Sequence, residues 1–225
     1  MSSDRPVVVH RFGSVSSTQD EARRLLEARS ATIGHVVVAD VQTAGRGRFG
    51  RTWLSPRGGL YATFLIRPRA TISIDVAVAA LRALSLLGIE TDLKWPNDLL
   101  IGERKLAGLL IESIRDVAFV GMGINLVEAP CEGSVSVLEA GRAVQRGDLV
   151  VALAEALRAP GGTNEVLETY RRRLTTIGRR VQVTTEGHRM IEGEAVAVDD
   201  LGRLIVESST GRHTISTGEC VHLRS

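Results

Sequence analysis

The chain alternates short apolar runs with polar, glycine-rich breaks, and the period of each run predicts its element. Residues 7–12 read as a first strand. Ser17 or Thr18 then caps a helix, with Glu21 completing a capping box and Ala22, Leu25 and Leu26 on the buried side. Residues 35–41 are apolar enough for a buried strand, and residues 60–66 form another that Pro68 stops. Residues 74–87 read as a largely apolar helix ending at Gly88. A short strand to Lys94, a turn at Pro96-Asn97-Asp98, and strands over 99–101, 106–112 and 117–126 follow. Successive strands joined by tight turns predict an α+β fold: a mixed, largely antiparallel sheet with helices on one face.

From 148 to 157, and again from 164 to 174 after the linker Ala159-Pro160-Gly161-Gly162, the period is helical. Beyond Gly178 come five short β-rich runs, at 181–184, 189–198, 204–207, 213–216 and 220–223. With a hairpin turn at Asp199-Asp200-Leu201-Gly202, they predict a small barrel. The expected division is a first domain over 1–177 and a second over 178–225.

Composition narrows the function classes. The 225 residues are 44% apolar, enough for a substantial core, and the net charge is only +2. Arginines and carboxylates are interleaved, which argues against a nucleic-acid-binding face. Cys131, Cys220 and the five histidines lack metal-ligand spacing. The first six residues have no apolar leader core and no run approaches a membrane span, so the expected location is the cytoplasm. Of 28 basic residues only Lys94 and Lys105 are lysine. A flexible ammonium is not interchangeable with a guanidinium where a charge must follow a reacting phosphate; drift under base-composition bias is the other account.

Four constellations carry candidate chemistry. Gly45-Arg46-Gly47-Arg48-Phe49-Gly50-Arg51, followed by Trp53, is unsuited to a strand or helix interior, since each glycine there costs about 0.5–1 kcal/mol. It suits either a loop that closes over an anion or a solvated arginine–glycine segment. Lys94-Trp95-Pro96-Asn97-Asp98 presents an amide beside a carboxylate, fit for a hydrated magnesium or for a plain turn. Arg104-Lys105-Leu106-Ala107-Gly108 puts a lysine at a strand entrance, and Gly121-Met122-Gly123-Ile124-Asn125 puts two glycines inside a strand.

Taken together with Ser17-Thr18 and Gln42-Thr43-Ala44, these segments resemble the biotin–protein ligases, in a short form without the N-terminal helix-turn-helix that some members carry. The likeness spans most of 7–126, fades over 127–175, and returns weakly at Glu192-Gly193-Glu194-Ala195 and Gly218-Glu219-Cys220. It implies a class II synthetase-like catalytic domain with an SH3-like cap. It also implies ATP, biotin and Mg²⁺ as ligands, with biotinyl-5′-AMP as the intermediate. The acceptor would be a lysine on the carrier domain of an acetyl-CoA, propionyl-CoA or pyruvate carboxylase, with neither nucleic acid nor membrane as partner. The family includes monomers and homodimers.

By the same resemblance, biotin would meet Ser17, Thr18, Gln19, Gln42, Gly45, Arg46, Gly47, Arg48, Lys105, Gly108, Gly121 and Gly123. ATP would meet Arg48, Arg51, Trp53, Lys94, Asn97, Asp98, Lys105 and Asn125, with Asn97 and Asp98 near the metal. Lys105, Arg48 and Arg51 would be catalytic. Phe49 stands where the family is often polar. A lipoate or octanoate ligase, and a non-catalytic module sensing biotinyl-AMP, are the alternatives.

Overall fold

A computed structural model describes residues 6–223; the stretch 1–5, part of the segment judged to lack a leader core, lies outside the described residues. Seven strands build the main sheet: β1 (Val8–Val15), β2 (His35–Gln42), β3 (Leu60–Ile66), β4 (Asp92–Lys94), β5 (Asp98–Ile101), β6 (Arg104–Ile114) and β7 (Val117–Ile124). Their order is β1-β2-β3-β7-β6-β5-β4. Only β1 and β2 run parallel, joined by α1 (Thr18–Glu27) as the crossover a parallel pair requires. The remaining helices are α2 (Ile72–Leu86), α3 (Arg146–Arg158) and α4 (Thr163–Arg173).

The expectation of helices on one face holds for α2, α3 and α4, but α1 lies on the other. Side chains alternate along each strand. Val36, Val38, Leu60, Ala62 and Phe64 join the core of α2, α3 and α4, whereas Val37, Leu65 and Phe119 pack with Ala22 and Leu25 of α1. The signal was present in β2, where residues 36–39 are all apolar and all buried, as in a strand covered on both faces. At ten residues α1 is too short to persist alone. Burial of Leu25, which stabilises by about 1.5–3 kcal/mol, docks it on the sheet. Ser17 is its cap, accepting from the Gln19 N–H at 3.2 Å, and Glu21 pairs with Arg24 instead of closing a capping box.

The C-terminal strands β8 (Arg180–Thr184), β9 (Met190–Val198), β10 (Leu204–Ser208), β11 (Gly211–Ile215) and β12 (Glu219–His222) form an antiparallel sheet ordered β11-β10-β9-β8-β12. Its apolar side is continuous with the main core, for Val181, Val183, Leu204 and Val206 belong to the same buried cluster as α2 and α3. Trp95 bolts the two parts together. It is 2% exposed, its backbone N–H donates to Thr176 Oγ1 at 3.0 Å, and its indole N–H donates to the Gly202 carbonyl at 2.9 Å across the junction. Trp95→Phe keeps an aromatic ring but removes that donor and part of the buried volume, and should cost about 1–3 kcal/mol or more. The check is a urea titration: a lower midpoint at unchanged slope is expected, and an unmoved midpoint would remove the bolt.

Candidate functional site

On the α1 face of the sheet, α1 covers only one half. The register pairs Gly108 of β6 with Gly123 of β7 and Leu110 with Gly121, leaving a floor almost without side chains. Over it lies a cavity of about 180 Å³, walled by α1, β6, β7 and the loop after β2. Of the residues picked from sequence, it gathers Ser17, Thr18, Gln19, Gln42, Arg46, Gly47, Arg48, Arg51, Trp53, Asn97, Lys105, Gly108, Gly121 and Gly123. Thr52, Leu109, Leu110, Met122 and Cys131 also line it, and none of them was among the site residues picked from sequence.

At the α1 end the wall is a hydrogen-bond chain. Thr18 donates from its N–H and its hydroxyl to Gln42 Oε1 at 2.9 and 3.1 Å, and Thr63 donates to Thr18 at 2.9 Å. Gln42 Nε2 donates to Ser55 Oγ at 2.9 Å, and Ser55 reaches the Trp53 carbonyl at 3.1 Å. Gln42 therefore keeps one amide hydrogen for a ligand, and its carbonyl is taken. Gln19 is 3% exposed; its Nε2 donates to the Leu110 carbonyl at 3.1 Å while its Oε1 is buried without a partner. An unpaired buried acceptor costs about 1–3 kcal/mol.

The other end is cationic. Lys105 Nζ lies 2.6 Å from Asp98 Oδ1 and 5.4 Å from the Trp53 ring centre. Its backbone is clamped by the segment after β7, donating to Gly133 and accepting from Val135. Arg46 is paired with Asp20 at 2.8 Å. Arg48 and Arg51 are held from the C-terminal sheet: Arg48 donates to Thr217 Oγ1, and Arg51 lies 2.6 Å from Glu219. Burial lowers the Arg48 pKa below the usual arginine value, against the Glu186 and Asp98 charges that raise it. Thr217 and Glu219 come from a segment that sequence reasoning assigned to the barrel alone.

The structure gives the other candidates the following surroundings. Lys94 is not in the cavity; it opens onto a separate cleft with Arg179 and His222. Gly45 stands behind the wall, where a Cβ would meet the Trp53 carbonyl at 2.4 Å. The glycines of the floor admit protein groups: a Cβ on Gly123 would meet the Trp53 ring at 2.3 Å, one on Gly108 the same ring at 3.0 Å, and one on Gly121 the Gln19 amide at 3.0 Å. Asn125 is buried, donates to the Val135 carbonyl at 3.3 Å, and reaches only a small pocket beyond Trp53. Asn97 is committed to the Leu109 carbonyl at 2.8 Å and Asp98 to Lys105. No cluster of three or more His, Cys, Asp or Glu able to hold a metal occurs among the described residues.

The comparisons with known proteins agree with this layout. The biotin/lipoate A/B protein ligase family matches residues 12–128, and the biotin protein ligase C terminal domain matches residues 176–223. The chain belongs to the biotin protein ligase family. A biotin–[acetyl-CoA-carboxylase] ligase of Mycobacterium tuberculosis is 33% identical over 85% of this chain and 80% of its own length. One from Paracoccus denitrificans is 33% identical over 90% and 95%. The biotin protein ligase from Aquifex aeolicus in complex with biotin and ATP superposes with a TM-score of 0.83, at 29% identity over 97% and 99% of the two chains.

For this biotin protein ligase family member, Gly123→Ala tests the floor. The added methyl should displace the Trp53 indole, cost about 1–3 kcal/mol by overpacking, and shift tryptophan emission. An unchanged spectrum and melting midpoint would show that the indole does not rest on Gly123.

Proposed function

We propose that this chain joins biotin to ATP as biotinyl-5′-AMP and passes the biotinyl group to a lysine of a carboxylase carrier domain. The observation that supports it best is a single cavity with the polar side chains Ser17, Thr18, Gln19 and Gln42 at one end and Lys105, Arg48 and Arg51 at the other. Biotin matches that polarity: a ureido head with two N–H donors and a carbonyl, and a carboxylate at the end of an apolar chain.

In this reading a ureido N–H donates to Gln19 Oε1, and the Ser17 hydroxyl and the spare Gln42 hydrogen serve the ureido carbonyl. The chain crosses the glycine floor beside Trp53 and brings the carboxylate to Lys105. A carboxylate oxygen attacks the α-phosphorus of ATP, and the bond to the β-phosphate oxygen breaks, releasing pyrophosphate. Lys105 moves from Asp98 to bridge the carboxylate and the α-phosphate, stabilising charge as it is redistributed. Arg48 and Arg51 neutralise phosphate oxygens in place of Thr217 and Glu219. The adenine lies on the Trp53 and Asn125 side. The acceptor amine then attacks the acyl carbon, forming the amide, losing a proton and expelling AMP.

Asn97 stays committed to the Leu109 carbonyl, whereas Asp98 is freed once Lys105 moves to the substrate, so Asp98 with the ATP phosphates would hold a hydrated Mg²⁺, which would offset phosphate charge. The finer proposals are the acetyl-CoA, propionyl-CoA or pyruvate carboxylase as acceptor, residence in the cytoplasm, and a division into parts at 177/178. No helix among the described residues is long and apolar enough to cross a membrane.

The deciding experiment is exchange of labelled pyrophosphate into ATP with biotin and lipoate in parallel. Exchange with biotin alone is expected; exchange with lipoate alone would move the chain to the sister activity, and none with either would leave a binding module. Lys105→Ala should slow adenylate formation by roughly 100-fold or more at an unchanged melting midpoint. Activity within a few-fold of the parent would refute its assigned role.

A further inference from the structure

One of the two lysines that the composition singles out, Lys94, is not used by the catalytic cavity. It sits at the end of β4, half-buried, in a cleft of about 540 Å³ between the β4–β5 region and the C-terminal sheet. No ion pair or hydrogen bond occupies its ammonium among the described residues, although sixteen ion pairs serve charges outside this cleft in them. Across the cleft stand Arg179, at the entry to β8, and His222 of β12.

The local charge is one-sided. Among the described residues the only carboxylate lining the cleft is Glu103, which meets Arg179 at 3.2 Å from a side chain that is 83% exposed. Such an exposed pair contributes little and is readily exchanged. Burial, with Lys94 and Arg179 adding to it, pushes the His222 imidazole down to about 4, so it is neutral at physiological pH. Protonating it there would place a third positive charge beside two that have no firm counter-charge.

We propose that this cleft is a binding site for a phosphate-class oxyanion, held by Lys94 from the catalytic part and Arg179 from the C-terminal part. A guanidinium fork and a compact ammonium together suit a tetrahedral oxyanion better than a spherical halide. The anion spans the junction, because Lys94 adjoins the Trp95-Pro96-Asn97 turn at the catalytic wall, while β12 carries the Glu219 that holds Arg51. The site is separate from the ligase cavity and does not depend on the ligase reading.

A ligand that binds only the folded chain raises its melting midpoint in a saturable way. The test is a melting titration with inorganic phosphate against chloride at matched ionic strength. It uses the full chain, Lys94→Gln, Arg179→Gln, and Arg48→Ala as a control for phosphate bound in the catalytic cavity. The expected result is a saturable rise in the parent and in Arg48→Ala, with half-saturation moved at least about tenfold higher in both cleft variants, as for a lost charge-assisted contact. If Lys94→Gln does not fold, Arg179→Gln carries the comparison. The proposal fails if the parent shows no saturable rise, if the cleft variants respond like the parent, or if Arg48→Ala abolishes the response.

Discussion

The amide of Gln42 is the fastener on which the catalytic cavity depends. Its carbonyl draws in the first turn of α1 through Thr18, and its amino group draws in the loop through Ser55 and the Trp53 carbonyl. These contacts join three segments that share no sheet register: the helix, the end of β2, and the chain beyond the arginine–glycine loop. A chain of neutral hydrogen bonds gains little net free energy per bond, but each one broken leaves a buried group unpaired. The arrangement is therefore held less by its strength than by the cost of departing from it.

That fastener sets the indole of Trp53 over the paired glycines, and the pair explains why the cavity is where it is. α1 covers the sheet at Val37, Leu65 and Phe119, where apolar side chains reward its docking. Beyond Phe119 the same face carries Gly121 and Gly123. With nothing there for a helix to bury against, the face is left to an aromatic ring. Trp53 has a buried N–H without a partner, so the lid of the floor, like the wall at Gln19, holds a polar group in reserve.

Much of this was legible in the chain. The strands follow from short apolar runs, and the two motif lysines and the alternating arginines stand out by type and spacing. The positions of α1 and Lys94 were less accessible. Periodicity says which face of α1 is buried but not on which side of a sheet it docks. The motif containing Lys94 reads as one unit, yet the chain reverses direction within Lys94-Trp95-Pro96-Asn97-Asp98. It sends Asn97 to the cavity, Lys94 to the junction, and the Trp95 ring into the core between them. Adjacency along the chain suggested a shared task that the turn divides. The partners of Arg48 and Arg51 lie about 170 residues downstream in a different sheet, and no local pattern encodes them.

The unbroken core beneath both sheets limits which exchanges of parts the architecture tolerates, as well as setting its stability. A cap that merely rested on the catalytic part could be exchanged for another, as tethered modules are. Here Val181, Val183, Leu204 and Val206 complete a hydrophobic volume begun by α2 and α3. Any replacement would have to supply the matching apolar surface and a carbonyl where Gly202 receives the Trp95 indole. Exchange of the C-terminal part alone would therefore open a gap or force a clash inside the core of the catalytic part.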